Sequence, residues 1–560
     1  MTEWGDLKEL RDASGYAFYN TSKWTLQKLF DTATNNQQIL LANFEDYLNG
    51  YSDNVKDILE KFDLKSKIRH MANKDVLLDV LEKFTFPYIN LTDKEKLDPD
   101  GRKLPPLSNL GMGYVFEELI RRFNEENNEE AGEHFTPREV IDLMTHIIFE
   151  PVKDNLPPII TIYDPACGTG GMLTESQNFI KDQNGQIKAN GDIYLYGKEI
   201  NDETYAICKS DMMIKGNDPK YILNGSTLST DDFSGQTFHY MLSNPPYGKS
   251  WASDQKYIKD GKDVIDPRFI LNLKDYWGNK EEKDSVPRSN DGQLLFLMEM
   301  VNKMKSTGQS PNGSRIASVH NGSSLFTGDA GSGESNIRRY IIENDWLECI
   351  IQMPTSLFYN TGISTYIWVL SNNKKPEWKG KVQLIDASGR YRKLRKNLGA
   401  KNCEFAEEHI REIQDVYLNM QKAEREGEED IASQIFDNSD LGFYKVTIER
   451  PKRLKAQFSS ENIETLRFDP KLKEPMQWAY KEFGDKVYED ITQFEKEIDE
   501  WCEKNDLELT KKQHNRLFSK KLWEKYNYRA YDILGEPYFD IDYNNVLYLT
   551  DTGRGWNNTS

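Results

Sequence analysis

The sequence predicts a doubly wound α/β domain between a helical N-terminal region and a charged, helical C-terminal region. From Ile159 onward, short apolar runs alternate with amphipathic segments, and glycine-rich or proline-rich turns follow several of the runs. Strands separated by helices imply right-handed crossovers and a mostly parallel sheet. The 560 residues, 38% of them hydrophobic, have an ordinary globular composition and are enough for about three to four domains.

The N-terminal region is predicted to be helical. Apolar residues recur there at three- and four-residue spacing, as at Val76, Leu77, Val80 and Leu81, and no alternating β-type run appears. We therefore assign residues 1–130 to an N-terminal helical domain.

The central region contains seven apolar runs that predict strands, with helices between them. The strands are expected at 159–163, 192–197, 221–223, 238–242, 315–319, 347–353 and 365–371, and the helices at 171–181, 202–215, 292–306 and 335–344. The irregular segment between the last two strands is too short for a crossover helix, so the last strand is predicted to be antiparallel. A further run at 381–386 is a candidate to extend the sheet.

The C-terminal region is basic at 390–401 and then charged and helical at 404–431. The basic segments 390–401, 450–455 and 511–521 are candidates for phosphate contacts. The alternative is a solvated helix face that balances nearby acids, and for 511–521 we favour that alternative.

The composition limits the classes of function. The net charge of −19 repels nucleic acid on average, so DNA contacts would need local basic patches or a partner. The five cysteines and seven histidines are scattered without ligand spacing, which predicts neither a disulfide framework nor a metal site. No apolar run approaches the ~20 residues of a membrane span, and we expect a cytoplasmic protein.

The strongest motif is the turn at 164–171, which follows the first predicted strand and opens a helix. Its glycines Gly168, Gly170 and Gly171 let the backbone approach a ligand, and Asp164 can hold an ammonium or hydroxyl group. This pattern indicates a nucleoside-bearing cofactor; the alternative is a tight turn without a ligand. Leu173 replaces the third glycine of the dinucleotide fingerprint, which argues against NAD.

Two further motifs end strands of the same predicted sheet. Glu199 follows the second strand, where its carboxylate can bind ribose hydroxyls, although an isolated acid is more often a solvated surface residue. Asn244-Pro245-Pro246-Tyr247 follows the fourth strand. There the Asn244 amide oxygen and the Pro245 carbonyl can each accept a hydrogen of a planar amine while Tyr247 stacks on its ring. A proline-rich loop that only closes the strand is the alternative.

The order Phe135-Thr136-Pro137, 164–171, Glu199 and 244–247 resembles the amino-methyltransferases that use S-adenosylmethionine to methylate adenine N6 in DNA. Four further segments are more closely similar to the modification subunit of type I restriction-modification systems. They lie at 111–144, 266–269, 291–301 and 357–364.

The resemblance implies a doubly wound S-adenosylmethionine-dependent methyltransferase core at 131–390 and a partner-binding helical region at 391–560. It assigns the amine-binding role to Asn244, Pro245, Pro246 and Tyr247. It assigns the cofactor pocket to Glu133, His134, Phe135, Thr136, Pro137, Arg138, Asp164, Gly168, Thr169, Gly170, Gly171, Glu199 and Ser226. Ser226 stands where the family usually has an acidic residue. Phe358 is a candidate second face for the base, with a core phenylalanine as the alternative.

The partners that the resemblance implies are double-stranded DNA with a flipped-out adenine and a separate specificity subunit, with two modification subunits per specificity subunit. A restriction subunit is a further candidate partner. Two rival functions remain open: a methyltransferase of a protein glutamine amide, and a scaffold that has kept the fold without catalysis.

Overall fold

A computed structural model describes most of the chain. The described residues are 8–33, 36–92, 94–107, 111–112, 115, 118–119, 122, 136–181, 189, 191–274, 278–427, 429–445, 469–483, 491–517 and 536–539. They divide into two compact units, of which the first contains residues 1–443 and 538–560 and the second contains residues 444–537. The predicted boundaries at 130 and 390 remain a prediction.

Helices dominate the N-terminal region, as the apolar spacing predicts. They span Lys8–Ser14, Leu26–Asp31, Gln37–Asn49, Asp53–Lys61, Leu64–Asn73 and Leu77–Phe84. From the helix Leu26–Asp31 onward, their apolar faces meet in a small core that includes Leu29, Leu40, Ile68 and Leu81. Two short antiparallel strands, β1 (Lys96–Leu97) and β2 (Lys103–Leu104), were not predicted.

A nine-stranded sheet forms the centre of the first unit. Its strands are β3 (Ile159–Asp164), β4 (Asp192–Glu199), β5 (Ile222–Asn224), β6 (Tyr240–Ser243), β11 (Arg315–Asn321), β12 (Leu347–Gln352), β13 (Thr365–Ser371), β14 (Lys381–Asp386) and β17 (Ala432–Asp437). They lie in the order β17-β14-β12-β13-β11-β6-β3-β4-β5. Only β13 and β17 run antiparallel to their neighbours, which confirms the predicted direction of the strand at 365–371.

Both faces of the sheet are buried because alternate residues of each strand enter two different cores. Ile160 and Ile162 face one core, and Tyr163 faces the other. Likewise Leu242 and Met241 belong to opposite cores. A parallel sheet covered on both sides explains why these strands are continuous apolar runs in the sequence.

Helices connect the strands and cover the two faces of the sheet. The α-helices are Arg138–Phe149, Gly171–Lys181, Asp202–Ile214, Gln255–Ile258, Gln293–Asn302, Ser323–Phe326, Gly333–Glu343 and Glu407–Leu418, and the 3-10 helices are Glu150–Asn155, Pro219–Tyr221, Pro267–Phe269, Pro376–Trp378 and Asn438–Leu441. The four helices predicted between strands are confirmed. The helix expected at 404–431 is shorter and spans only Glu407–Leu418, and β17 begins at Ala432, beyond the expected end of the helix.

Three short hairpins form two-stranded sheets separate from the main sheet. The sequence does not predict them. They pair β7 (Lys259–Asp260) with β8 (Asp263–Val264), β9 (Ile270–Lys274) with β10 (Lys280–Asp284), and β15 (Arg392–Leu398) with β16 (Lys401–Glu404). Two further strands are β18 (Gly442–Lys445) and β19 (Glu536–Phe539).

The second unit has helices Pro470–Phe483, Ile491–Lys504 and Lys511–Leu517, which share a core of their own that includes Leu472, Met476, Ile498 and Leu517. This agrees with the helical C-terminal region expected from the sequence. Across the described part of the whole chain, every helix is too short or too polar to span a bilayer.

Candidate active site

The motifs predicted from the sequence converge at one edge of the sheet. β3, β4, β5 and β6 are parallel neighbours, so their carboxyl ends lie side by side. Those ends are Asp164, Glu199, Asn224 and Ser243. Ligands of open α/β sheets bind outside this edge.

The glycine turn leads from β3 into the helix Gly171–Lys181. Gly168 and Gly170 have φ angles of +53° and +85°, in the left-handed region that favours glycine. A Cβ atom on Gly170 would lie 2.8 Å from the Cys208 sulfur, so the backbone there packs closely against the helix Asp202–Ile214. These contacts explain why glycine is needed at this position.

Two backbone N–H groups fix the carboxylate of Glu199. The amide of Gly168 donates to Oε2 at 3.0 Å, and the amide of Asn201 donates to Oε1 at 2.8 Å. The side chain is 7% exposed, so it is a buried residue of the turn and the solvated alternative is wrong. A carboxylate has about four acceptor sites, so an anchored one can also accept hydroxyl donors from a ligand.

Asp164 joins the glycine turn to the end of β6. Its Oδ1 accepts hydrogen bonds from Ser243 Oγ at 2.7 Å and from the Ala166 amide at 3.0 Å. Burial raises the pKa of Asp164 to about 7, with a smaller raising effect from the charge of Glu199, and the two hydrogen bonds offset part of the rise. A nearby cation would stabilise the ionised form.

The side chain of Asn244 carries a buried hydrogen-bond acceptor. Its Nδ2 donates to Thr136 Oγ1 at 3.0 Å, which fixes the orientation of the amide. Its Oδ1 is buried, and within the described part of the chain it accepts no hydrogen bond. An unsatisfied buried polar atom costs about 1–3 kcal/mol. A ligand that donates a hydrogen to this oxygen would therefore be favoured.

The residues after Asn244 form a corner that is fixed by a hydrogen bond to Asp291. Pro245 is buried, Pro246 is exposed and Tyr247 is half-buried, and burial raises the pKa of the Tyr247 hydroxyl. The amide of Gly248 donates to Asp291 Oδ1 at 3.1 Å. The other oxygen of Asp291 accepts from Gln293 and Ser323, so the acid ties the corner to two helices.

The loop after β5 contains two features that sequence reasoning missed. Ser226, which replaces the expected acid, donates its hydroxyl hydrogen to Asp254 Oδ1 at 2.8 Å, so a carboxylate lies beside this position after all. Buried Arg268 donates to the carbonyls of Thr227 and Leu228 at 2.8 and 3.2 Å and pairs with Glu299 at 3.0 Å. Arg268 lies in segment 266–269 and Glu299 in segment 291–301, two of the segments that carry the resemblance.

The remaining predicted site residues have different outcomes. Thr136, Pro137 and Arg138 lie at the start of the helix Arg138–Phe149, and Thr169 lies in the glycine turn. Residues 133–135 (Glu133, His134 and Phe135) lie outside the described residues. Phe358 is 1% exposed within the core, so the core alternative is correct for it. A search of the described positions finds no cluster of three or more histidine, cysteine or acidic side chains suited to a metal.

Comparisons with known proteins agree with this geometry. The family model N-6 DNA Methylase matches residues 109–441. The type I restriction enzyme MjaIX methylase subunit of Methanocaldococcus jannaschii is 28% identical over 338 residues, which are 60% of this chain and 52% of that protein. The HindI methylase subunit of Haemophilus influenzae is 28% identical over 280 residues, or 49% of this chain and 54% of that one. The chain thus spans about half the length of the curated relatives it matches.

A solved structure supports the fold. The type I restriction-modification system methyltransferase subunit from Streptococcus thermophilus superposes with a TM-score of 0.54 at 22% identity, over 74% of this chain and 76% of that chain. The family model covers more than half of the 560 residues and spans the whole described site. This chain therefore belongs to the N-6 DNA methylase family.

Proposed function

We propose that this chain transfers a methyl group from S-adenosylmethionine to N6 of adenine in DNA, on a base flipped out of the duplex. The observation that carries the proposal is the Oδ1 of Asn244, which is buried and accepts no hydrogen bond from any described residue, at the edge of the sheet where the glycine turn and Glu199 also lie. An exocyclic amine is a donor that matches this acceptor.

The residues around the glycine turn fit the cofactor. S-adenosylmethionine carries an ammonium and a sulfonium, and the carboxylates of Asp164 and Glu199 supply negative charge beside the close-packed turn. Glu199 binds the ribose hydroxyls, and Asp254, next to Ser226, accepts from the adenine amine. When bound, the cofactor supplies an electrophilic methyl group. The full proposed pocket is Glu133, His134, Phe135, Thr136, Pro137, Arg138, Asp164, Gly168, Thr169, Gly170, Gly171, Glu199 and Ser226, with Asp254 added.

The corner at the end of β6 positions the amine. Asn244 Oδ1 accepts one hydrogen of the NH2 group, and the Pro245 carbonyl accepts the other. Both contacts draw the nitrogen toward sp3 geometry, which frees its lone pair from the ring. Pro246 stiffens the corner, and Tyr247 stacks on the base. Extrusion of the base costs a few kcal/mol, which these contacts offset.

We also propose that the chain acts on DNA in the cytoplasm as one of two modification subunits on a specificity subunit, with a restriction subunit as a further partner. The support is that similar proteins are methylase subunits of type I restriction enzymes. In this proposal residues 1–130 form a helical domain, 131–390 the catalytic domain and 391–560 a partner-binding region.

The test is methyl transfer by the full chain with its specificity subunit and tritiated cofactor. The parent should label adenine N6 in duplex DNA. Asn244→Ala should lower the rate by about 10²–10³-fold, the usual cost of one group that stabilises a transition state, while cofactor affinity changes little. Asn344→Ala, at the exposed end of the helix Gly333–Glu343, is the matched control and should leave the rate unchanged.

Three results would contradict the proposal. Label on a glutamine of a protein substrate instead of DNA would favour the glutamine methyltransferase. Cofactor binding without transfer to any substrate would indicate a scaffold. A rate in Asn244→Ala equal to that of the parent would remove the acceptor role of this amide.

A further inference from the structure

One hairpin of this acidic chain has a strongly basic sequence. Residues 391–401 contain five basic and no acidic side chains, in a chain with a net charge of −19. β15 and β16 pair to form it, and we refer to Arg392–Glu404 as the basic hairpin. We propose that the basic hairpin binds the phosphate backbone of duplex DNA next to the flipped base. This inference rests on the proposed function.

The turn of the hairpin, where Leu398 pairs with Lys401, is anchored to the candidate active site. Lys401, 3% exposed, forms an ion pair with Glu139 and donates to the Leu357 carbonyl at 3.0 Å. Glu139 lies in the first turn of the helix Arg138–Phe149, three residues after Thr136, which accepts the hydrogen bond from Asn244. The hairpin and the amine acceptor are therefore held by the same end of one helix.

The sheet places the hairpin on the side where a substrate must approach. β12 and β14 are parallel to each other, and β12 has the same direction as β6, so all three end at the edge that carries Asn244. The hairpin follows β14, and its second strand bonds to the segment after β12. There the amides of Ala400 and Asn402 donate to Tyr359 and Ser356 at 2.9 Å.

The distance between the basic hairpin and Asn244 allows one DNA duplex to reach both. The anchoring contacts and the few residues along each segment keep the hairpin within about one helical turn of DNA, ~34 Å, from Asn244. A duplex whose base enters the site therefore presents phosphates within reach of the hairpin.

Three cations of the hairpin are available to a ligand. Lys393, Arg395 and Lys396 are exposed, and none of them forms an ion pair within the part of the chain that the structure describes. By contrast, Arg392 pairs with Glu404 at 2.7 Å. Exposed, uncompensated lysine and arginine side chains bind phosphate with release of counterions. Their positive charge is complementary to the phosphate backbone of DNA.

The test compares two triple variants of the full chain that lose the same charge. Lys393→Gln/Arg395→Gln/Lys396→Gln neutralises the hairpin. Lys471→Gln/Lys473→Gln/Lys481→Gln neutralises three exposed lysines of the helix Pro470–Phe483. Binding to a fluorescent 30-base-pair duplex is measured by anisotropy as a function of salt, alongside calorimetric binding of S-adenosylmethionine.

We expect the hairpin variant to bind DNA at least about tenfold more weakly at 0.1 M salt, with a slope of log K against log salt smaller by two to three, since each lost phosphate contact removes about 0.9. Cofactor affinity should be unchanged. The helix variant should match the parent, and Lys393→Arg/Arg395→Lys/Lys396→Arg should keep the parental slope.

An unchanged slope in the hairpin variant would overturn the inference while leaving the proposed function intact, provided the parent methylates DNA. The inference also fails if the hairpin variant loses binding to the specificity subunit but keeps its DNA slope, since the hairpin would then dock a protein. A parent that methylates no DNA would instead defeat the proposed function.

Discussion

The charge of Asp164 depends on pH near neutrality. Burial raises its pKa to about 7, well above that of an exposed aspartate, so the folded chain holds a proton that the unfolded chain releases between about pH 4 and 7. The free energy of unfolding contributed by this group therefore falls as pH rises through that window. A bound cation has the opposite effect, because it favours the ionised carboxylate.

Cofactor affinity should consequently depend on pH through this residue. We expect S-adenosylmethionine to bind about tenfold more weakly at pH 6 than at pH 8, because at pH 6 its binding must displace a proton from Asp164. Calorimetry in two buffers of different ionisation enthalpy measures both the affinity and the proton release. Asp164→Asn should bind weakly and with no dependence on pH across this range. A parent whose affinity is flat from pH 6 to 8 would show that Asp164 does not sense the cofactor's charge.

At the level of single residues, the sequence predicts those that end parallel strands. Asp164, Glu199 and Asn244 are found together because the topology alone brings such positions to one edge. Contacts between distant segments have no such signal. The pairing of Ser226 with Asp254, and of Arg268 with Glu299, depends on how the segment between β6 and the helix Gln293–Asn302 folds back, which no local pattern encodes.

At the level of elements, a comparison of Gly170 in the glycine turn with Gly216 after the helix Asp202–Ile214 distinguishes two costs of replacing glycine. One is backbone strain, and the other is overpacking. Gly170 and Gly216 both have positive φ, +85° and +81°. A Cβ on Gly170 would meet the Cys208 sulfur at 2.8 Å, whereas a Cβ on Gly216 would have nothing within 4 Å. Gly216→Ala thus measures backbone strain alone, and Gly170→Ala adds overpacking against the helix Asp202–Ile214.

Gly216→Ala should lower the free energy of unfolding by about 1 kcal/mol, and Gly170→Ala by a further 1–3 kcal/mol. Gly170→Ala should also weaken S-adenosylmethionine binding, because the turn must shift away from Cys208, while Gly216→Ala should not. Urea unfolding followed by circular dichroism, with calorimetry for the cofactor, tests both. Equal losses of stability in the two variants would mean that the turn relaxes around the added methyl without resistance.

Elements were predictable where burial leaves a clear apolar pattern in the sequence, either a continuous run or a helical period. The strands of the main sheet are apolar on both faces, and their helices have a single apolar face, so both stand out in the sequence. The hairpins β7–β8 and β15–β16 are short and largely exposed, with polar residues on both faces, and the segment that forms β15 reads as a basic surface run. β17 pairs at the margin of the sheet through only six residues.

For the whole molecule, the described residues form two compact units, and the helices of the second unit pack in a core of their own. The last strand of the sheet, β17, ends at Asp437, and the first unit includes everything up to Phe443. The helices at 470–517 bury Leu472, Met476 and Ile498 among themselves. Every described residue of the proposed cofactor pocket lies in the first unit.

A chain shortened to residues 1–443 should therefore keep the cofactor site. We expect it to bind S-adenosylmethionine within about threefold of the full chain, because no described contact of Asp164, Glu199 or Asn244 involves the second unit. If the C-terminal region binds the specificity subunit, as we propose, the shortened chain should lose association with that subunit and with it site-specific methylation. Calorimetry and size-exclusion chromatography with the subunit measure the two properties separately. Loss of cofactor binding in a shortened chain that retains the circular dichroism of a folded α/β protein would contradict this prediction.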